Sequence, residues 1–520
     1  MSDYSRDRRN DRVSHPGNRR AASGRERGEA RLRGDQHRST QAPGERRRYT
    51  DESRFVAYDV LRQVADSDAY ANLVLPPLLR ERRIEGRDAA FATELTYGTL
   101  RMQGRYDAVL ANCVDRPLAD LDPPVLSVLR LGTHQLLGMR VPTHAAVSET
   151  VGLARARVGA GPAQFVNAVL RRVTERNLDD WLAVIENQAS DALTALAAKH
   201  SHPVWIVRAL RDSLAANGRD PGELEELLQA NNEPPKVTLV ARPGLSTQAE
   251  LLRGASRGTP STRGRFAPTA VVMGGGDPLW LAAVAHGRAG VQDEGSQLVA
   301  LALAAAPLDG PDERWLDLCA GPGGKAALLV TLADQRGAAL VANEVAPHRA
   351  NLVRKALAAV PARAVELVRT GDGRDLSELD PGGFDRILVD APCTGLGALR
   401  RRPESRWRRT PKDLSTLTKL QGELLSAALD GVRVGGVVAY VTCSPHLAET
   451  RLVVDDVLRQ RAKSQPDNIP DAERIDAREV LRAVVVPGAK LNLGDQLDAQ
   501  LWPHVHGTDA MHLTLLRRTR

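Results

Sequence analysis

The stretch Trp315-Leu-Asp-Leu-Cys-Ala-Gly-Pro-Gly-Gly-Lys325 decides the fold. It begins as a strand, breaks into a glycine-rich turn and runs on into an apolar segment of helical length. Glycines at 321, 323 and 324 let backbone N–H groups approach a ligand closely. The spacing is neither GxGxxG nor GxxxxGK[ST], which excludes the dinucleotide fingerprint and the P-loop. Outward from this turn, strands are predicted at 314–320, 338–344, 364–370, 384–391, 435–442 and 511–518. Helices are predicted at 322–333, 346–359, 411–432 and 446–461. Such alternation implies a mostly parallel, doubly wound sheet, whose ligands sit at the carboxyl ends of the strands.

Acidic residues stand at those ends. Asp317 precedes the turn, and Glu344 closes the second strand 23 residues after Gly321. An acid in that place can accept hydrogen bonds from both hydroxyls of a ribose. Asp372, in Gly-Asp-Gly-Arg-Asp after the third strand, can take an adenine amino group. A lone glycine-rich turn is most often an ordinary tight loop. With acids in register after successive strands, the pattern reads as a nucleoside cofactor site.

The four cysteines, at 113, 319, 393 and 443, are 206, 74 and 50 residues apart. No CxxC metal clip is possible at those separations, and no metal is expected. A free cysteine is usually a small buried hydrophobe, and that reading is kept for Cys113. Cys393 and Cys443 differ because each follows a strand directly, in Asp390-Ala-Pro-Cys-Thr-Gly and Thr442-Cys-Ser-Pro.

These motifs together resemble the RNA 5-methylcytosine methyltransferases. Asp317 to Lys325 is similar to that family's DxCAAPGGK, with Gly321 where alanine is more common, a small change that leaves the backbone donors intact. The two cysteine motifs are similar to the family's DAPC and TCS. The resemblance implies S-adenosylmethionine as cofactor. Cys319, Ala320, Gly321, Pro322, Gly323, Gly324 and Lys325 would cradle its methionine end. Glu344 would hold the ribose and Asp372 the adenine, while Arg349 shapes the pocket and Asp390 faces it.

Carbon 5 of cytosine is a poor nucleophile. A thiolate that adds to carbon 6 makes carbon 5 enamine-like, so one difficult step becomes two easier ones. The chemistry needs a partly exposed cysteine held as thiolate. On that ground Cys393 and Cys443 are equal candidates, and DNA cytosine-5 methyltransferases attack with the proline-cysteine motif. Resemblance to the TCS motif implies that Cys443 attacks and Cys393 assists release. It likewise implies that Asp390 hydrogen-bonds the base and that Lys325 helps electrostatically or in proton transfer.

Arg400-Arg-Arg-Pro-Glu-Ser-Arg-Trp-Arg-Arg409 carries six arginines and a tryptophan directly after the Cys393 motif. Arginine can pair with phosphate and tryptophan can stack on a base. The segment resembles the family's RRxPxxxW, and Arg400, Arg401, Arg402, Arg406 and Trp407 are expected to touch RNA. Gln292-Asp-Glu-Gly-Ser296 resembles another family segment and is assigned no chemistry. Ala510-Met511 stands where the family often has an aromatic pair.

Upstream, residues 53–176 repeat apolar side chains at helical spacing, with proline breaks at 76–77, 117, 123–124, 142 and 162. Residues 71–101 resemble helical RNA-binding domains of the NusB type. The expected fold is therefore multi-domain. An Arg-rich disordered tail (1–50) precedes an all-α NusB-like domain (51–180), then a helical linker and small α/β subdomain (181–290). An α/β doubly wound, Rossmann-like class I methyltransferase domain (291–520) follows. This arrangement resembles the ribosomal RNA branch of the family. It implies a partner in 16S rRNA or a small-subunit assembly intermediate, and a monomer. Two alternatives stay open: the same chemistry on tRNA or another rRNA site, and an inactive RNA-binding or ribosome-assembly factor.

Composition bounds these readings. The 42% hydrophobic share supports real cores, while an aromatic share of 3% leaves the packing to Leu, Val and Ala. No apolar run reaches the roughly 18–20 residues of a membrane span, and the polar N-terminus lacks a signal-peptide core. A cytoplasmic protein without a membrane partner is expected. The net charge of +7 belongs to residues 1–50, with 14 Arg against 7 acids, since the rest carries 57 basic and 57 acidic residues. Overall charge is thus weak evidence for nucleic acid.

Overall fold

A computed structural model describes residues 51–67, 69–255, 260–379 and 383–520. The Arg-rich segment 1–50 lies outside the described residues.

From Glu52–Ser67 to Leu224–Ala230 the described chain is helical. Phe55, Val56, Val60, Leu61 and Val64, spaced for one helix face, share a core with Val125, Val128 and Leu129. Cys113 is buried in the same core, which extends past position 180 to Trp181 and Ile185. Pro123 opens a helix and Pro162 sits in the first turn of another, where the missing N–H has no partner to lose. Pro76-Pro77 departs from the expected break, because the helix Ala71–Glu81 runs through both. Buried Ala71 and Leu75, with Leu78 and Leu79 packed on the same core, hold that helix despite two absent amide donors. The helices Ala192–Lys199, Val204–Ala216 and Leu224–Ala230 pack elsewhere. Their Ile206, Leu210, Leu214 and Leu228 share a cluster with Leu396, Leu399 and Trp502 of the C-terminal half.

Residues 238–291 form a small antiparallel sheet. Its strands are β1 (Thr238–Ala241), β2 (Thr262–Arg263), β3 (Ala270–Val272) and β4 (Ala289–Val291), in the order β2-β3-β1-β4.

The large sheet holds β5 (Arg314–Asp317), β6 (Ala339–Glu344), β7 (Val365–Thr370), β8 (Phe384–Asp390), β9 (Val432–Thr442), β10 (Ala472–Ile475), β11 (Ala499–Gln500) and β12 (His512–Arg518). Its order is β10-β12-β9-β8-β5-β6-β7, with β11 on β12. Strands β5 to β9 pair in parallel and β12 runs antiparallel to β9 and β10. Alternate residues feed two cores. Trp315, Leu340, Leu388, Ala439 and Leu515 face the helices Glu294–Ala305 and Gly324–Asp334. Leu316, Val341, Ile387, Val438 and Leu516 face the helices Pro411–Gly431 and Arg451–Lys463. The result is the expected doubly wound α/β sandwich behind a helical domain. Most of the apolar run 298–308 forms the buried helix Glu294–Ala305. Among the described residues no helix is long and apolar enough to cross a membrane. Strand β5 lies between β6 and β8, so the winding reverses there and opens a crevice at the carboxyl ends.

Candidate active site

The turn after β5 is shaped by glycine. Gly323 has φ +108°, and a Cβ there would stand 2.7 Å from the Ala356 Cβ and 3.1 Å from the Val353 Cα. Only glycine lets the loop lie so close to helix Pro347–Leu357. Asp317, ending β5, is 0% exposed, and neither carboxylate oxygen makes a well-aligned hydrogen bond among the described residues. Burial, helped by the charge of Asp390, pushes its pKa up to about 8. Cys319, next in the turn, has its thiol pKa driven well up by burial.

Glu344 is buried at the end of β6. Its Oε2 accepts the Gly321 N–H at 3.1 Å and its Oε1 accepts the Ala346 N–H at 2.9 Å. Arg349 donates to the Gly321 carbonyl at 2.5 Å and lies 3.5 Å from Glu344 Oε2. A Cβ at Gly321 would stand 2.1 Å from that same Oε2. An alanine here would displace only the tip of the Glu344 side chain, so the exchange for Gly321 stays a small one. Asp372 is half-exposed after β7 and bound by Arg374 at 2.6 Å, which lowers its pKa to about 2.

Strands β8 and β9 bring the two cysteines together. Cys393 Sγ and Cys443 Sγ lie 3.4 Å apart. The Ala391 N–H donates to the Val441 carbonyl at 2.9 Å and the Gly397 N–H to the Cys443 carbonyl at 2.8 Å, so the two strand ends are tied by backbone. Lys325 Nζ sits 2.8 Å from Asp390 Oδ2. Burial opposes the charge on Lys325, yet Asp390 holds its pKa above the ordinary lysine value. The Cys443 pKa is lowered, first by the hydrogen bond it shares with Cys393 and then by Lys325 and Arg402, against burial and Asp390. The Cys393 pKa is raised well up by that same hydrogen bond, by burial and by the charges of Cys443 and Glu449. Lys325 and Arg402 thus act to lower the Cys443 pKa, while Glu449 acts to raise that of Cys393.

Beneath the pair lies a carboxylate that sequence reasoning missed. Glu449 is 0% exposed and receives hydrogen bonds from Thr394 and Gln421. Its position was hidden because 446–461 reads as one helix. In the structure Leu447–Glu449 is a separate short turn, and the helix starts only at Arg451.

The segment 400–409 corrects the expectation of RNA contact. Arg400 and Arg401 both bind Asp293 and Asp509, at 2.6 to 2.9 Å. Arg406 is 0% exposed and donates to the carbonyls of Ser201 at 2.8 Å and Arg101 at 3.3 Å, and to Asn232 Oδ1 at 2.9 Å. Trp407 packs over Gly104, where a Cβ would stand 2.4 Å from its ring. Arg400 and Arg401 thus tie the segment to the α/β half, and Arg406 and Trp407 join it to the helical domain. Arg402 alone of the five expected contacts is exposed, with its guanidinium 4.8 Å from the Tyr70 ring centroid.

The "16S rRNA methyltransferase RsmB/F" family pattern matches residues 303–517, and the NusB family pattern matches 51–175. Ribosomal RNA small subunit methyltransferase B of Escherichia coli O6:K15:H31 is 32% identical, over 81% of this chain and 96% of its own. The chain belongs to the RsmB/F methyltransferase family. Protein Rv1407 of Mycobacterium tuberculosis is 52% identical over 91% of this chain and 98% of its own. The crystal structure of PH0851 shares the fold, with a TM-score of 0.72 at 20% identity, covering 90% of this chain and 99% of that one. As an RsmB/F member the protein is an RNA methyltransferase with S-adenosylmethionine as cofactor. The crevice fits that group, since its glycine turn stands beside an acid at the end of β6 and a buried Asp317 carboxylate without a well-aligned partner among the described residues.

Proposed function

We propose that this RNA methyltransferase methylates carbon 5 of a cytosine in 16S rRNA through a covalent bond from Cys443 to carbon 6. The observation that carries the reading is the pair of sulfurs 3.4 Å apart at the ends of β8 and β9, beside the Lys325–Asp390 ion pair. S-adenosylmethionine supplies an electrophilic methyl group when bound. Residues 319–325 and Arg349 would form its cradle, Glu344 would hold the ribose and Asp372 the adenine.

Cys443 attacks as thiolate, with Lys325 and Arg402 offsetting its charge. Asp390 hydrogen-bonds the polar edge of the cytosine while Lys325 fixes its carboxylate. Addition at carbon 6 places electron density on carbon 5, which takes the methyl group. A base then takes the carbon-5 proton, its C–H electrons re-form the 5,6 double bond, and the carbon-6–sulfur bond breaks to expel Cys443 as thiolate. Cys393, within contact of Cys443, assists that release. The NusB-type domain and the names of the relatives support a ribosomal target.

The test is transfer of labelled methyl to small-subunit rRNA, with mapping of the labelled base. Cys443→Ala should abolish turnover, a loss on the order of 10⁴-fold or more. Cys393→Ala should accumulate an RNA adduct that survives a denaturing gel. Turnover by Cys443→Ala would sink the nucleophile, and label confined to tRNA would sink the target.

A further inference from the structure

We propose that Glu449 is a positioning residue for release of the methylated base, holding the Cys393 turn against the Cys443 turn through Thr394. This rests on the reading that Cys443 attacks and Cys393 assists release.

Glu449 is fully buried, touches neither sulfur by hydrogen bond and lies on neither cysteine motif. Its Oε1 accepts the Thr394 N–H at 2.7 Å and the Gln421 amide at 3.2 Å, while its Oε2 accepts the Thr394 hydroxyl. Gln421 also donates to the Pro392 carbonyl at 2.8 Å, so Glu449 and Gln421 grip the residues on both sides of Cys393. The Thr394 hydroxyl contacts Ser444 Oγ at 3.2 Å, and Ser444 adjoins Cys443. One carboxylate therefore sets the position of one cysteine turn directly and of the other at one remove.

The carboxylate is itself locked. The Tyr440 hydroxyl of β9 donates to the Glu449 carbonyl at 2.8 Å, and the His446 ring caps the short turn by accepting the Ala448 N–H at 3.1 Å. A carboxylate in the interior needs several donors, and Thr394 and Gln421 supply three. A buried group so placed is costly to keep, and the turn it fixes is the one that carries Cys393. The negative charge of Glu449 also faces the Cys393 thiol and favours its protonated form. An unanchored turn would let the sulfurs drift from their 3.4 Å separation, and a misplacement of about 1 Å can cost on the order of 10²-fold in rate.

The experiment measures three quantities on the full-length enzyme with its RNA substrate: methyl transfer in a single turnover, covalent adduct on a denaturing gel, and steady-state turnover. Glu449→Ala should retain first-turnover methyl transfer, accumulate adduct and lose on the order of 10²-fold in steady-state turnover. Glu449→Gln keeps one acceptor and one donor for Thr394, and should rescue most of the release rate. Thr394→Val, which deletes the hydroxyl and keeps the backbone donor, should reproduce part of the adduct accumulation, and it serves if Glu449→Ala does not fold. Wild-type adduct levels and release in Glu449→Ala, or in Thr394→Val where that variant stands in, would overturn the proposal. So would loss of the first turnover and of release in equal measure, with no rescue by Gln. Cys443→Ala run alongside separates the two readings: if it still turns over, the nucleophile assignment fails, whereas a dead Cys443→Ala beside normal release in Glu449→Ala fails only Glu449.

Discussion

Two neighbouring segments, 390–394 and 400–409, both look chemical in the sequence, and the structure sends them to opposite fates. The first stays at the open end of the sheet, its half-buried sulfur within contact of Cys443. The second, richer in charge, turns inward and becomes the seam with the helical domain. The difference lies in what fixes each segment. Cys393 is carried to the sheet end by its own strand and that strand's pairing with β9, whose apolar runs are both legible in the chain. Arg406 is placed by partners at 101, 201 and 232, which no local pattern announces. An arginine that would bind phosphate and one that caps interior carbonyls are the same letter.

The open-site half of this comparison is tested by Lys325→Met. Removing the ammonium takes away a group that favours the Cys443 thiolate. The Cys443 pKa should rise, and the acid limb of the pH–rate profile should move to higher pH. Turnover at neutral pH should fall by about 10²-fold, the scale of lost proton and charge management. An unmoved acid limb would separate Lys325 from the thiolate and leave it a structural partner of Asp390.

The seam half is tested by Arg406→Ala. The substitution strands interior carbonyls at Ser201 and Arg101 and the Asn232 side-chain oxygen. At about 1–3 kcal/mol for each buried group left unpaired, less whatever local relaxation recovers, a loss of roughly 3 kcal/mol is expected in denaturant unfolding. RNA affinity at temperatures where the variant stays folded should be unchanged. A stable variant with weakened RNA binding would restore the segment's first reading as an RNA contact.

The same contrast explains what could be read in the chain. The six strands predicted in the catalytic half are all present, because each carries an apolar run ending at a motif or a turn. Strand β10, Ala-Glu-Arg-Ile, is short and charged at its middle, so it has no alternation to detect. Asp293 and Asp509 looked idle in the sequence, yet they neutralise Arg400 and Arg401 across more than a hundred residues. Glu449 escaped because the helical spacing after it disguised the short turn that aims it inward. The choice between the cysteines is still inherited from a motif, since the contact between the two sulfurs is itself symmetric. Lys325 and Arg402 face Cys443, while Glu449 faces Cys393.

Arg402 stands between the two segments and sharpens the boundary. It belongs to the arginine run yet is exposed, lies 4.8 Å from the Tyr70 ring centroid, and contributes a cationic field at Cys443. If the run divides where burial begins, Arg402→Ala should leave unfolding free energy within about 0.5 kcal/mol of wild type, as for an ordinary surface substitution. Its effect should fall on the RNA, with a KM increase of less than about tenfold, the range of one solvated charge contact, and on Cys443, with the acid limb moved to higher pH by less than in Lys325→Met. The increase should shrink as salt rises, because exposed charges are screened over about 10 Å at 0.1 M. A large loss of stability in Arg402→Ala would place this residue in the seam as well, and the catalytic end of the sheet would then begin at Cys393 without any arginine of the run beside it.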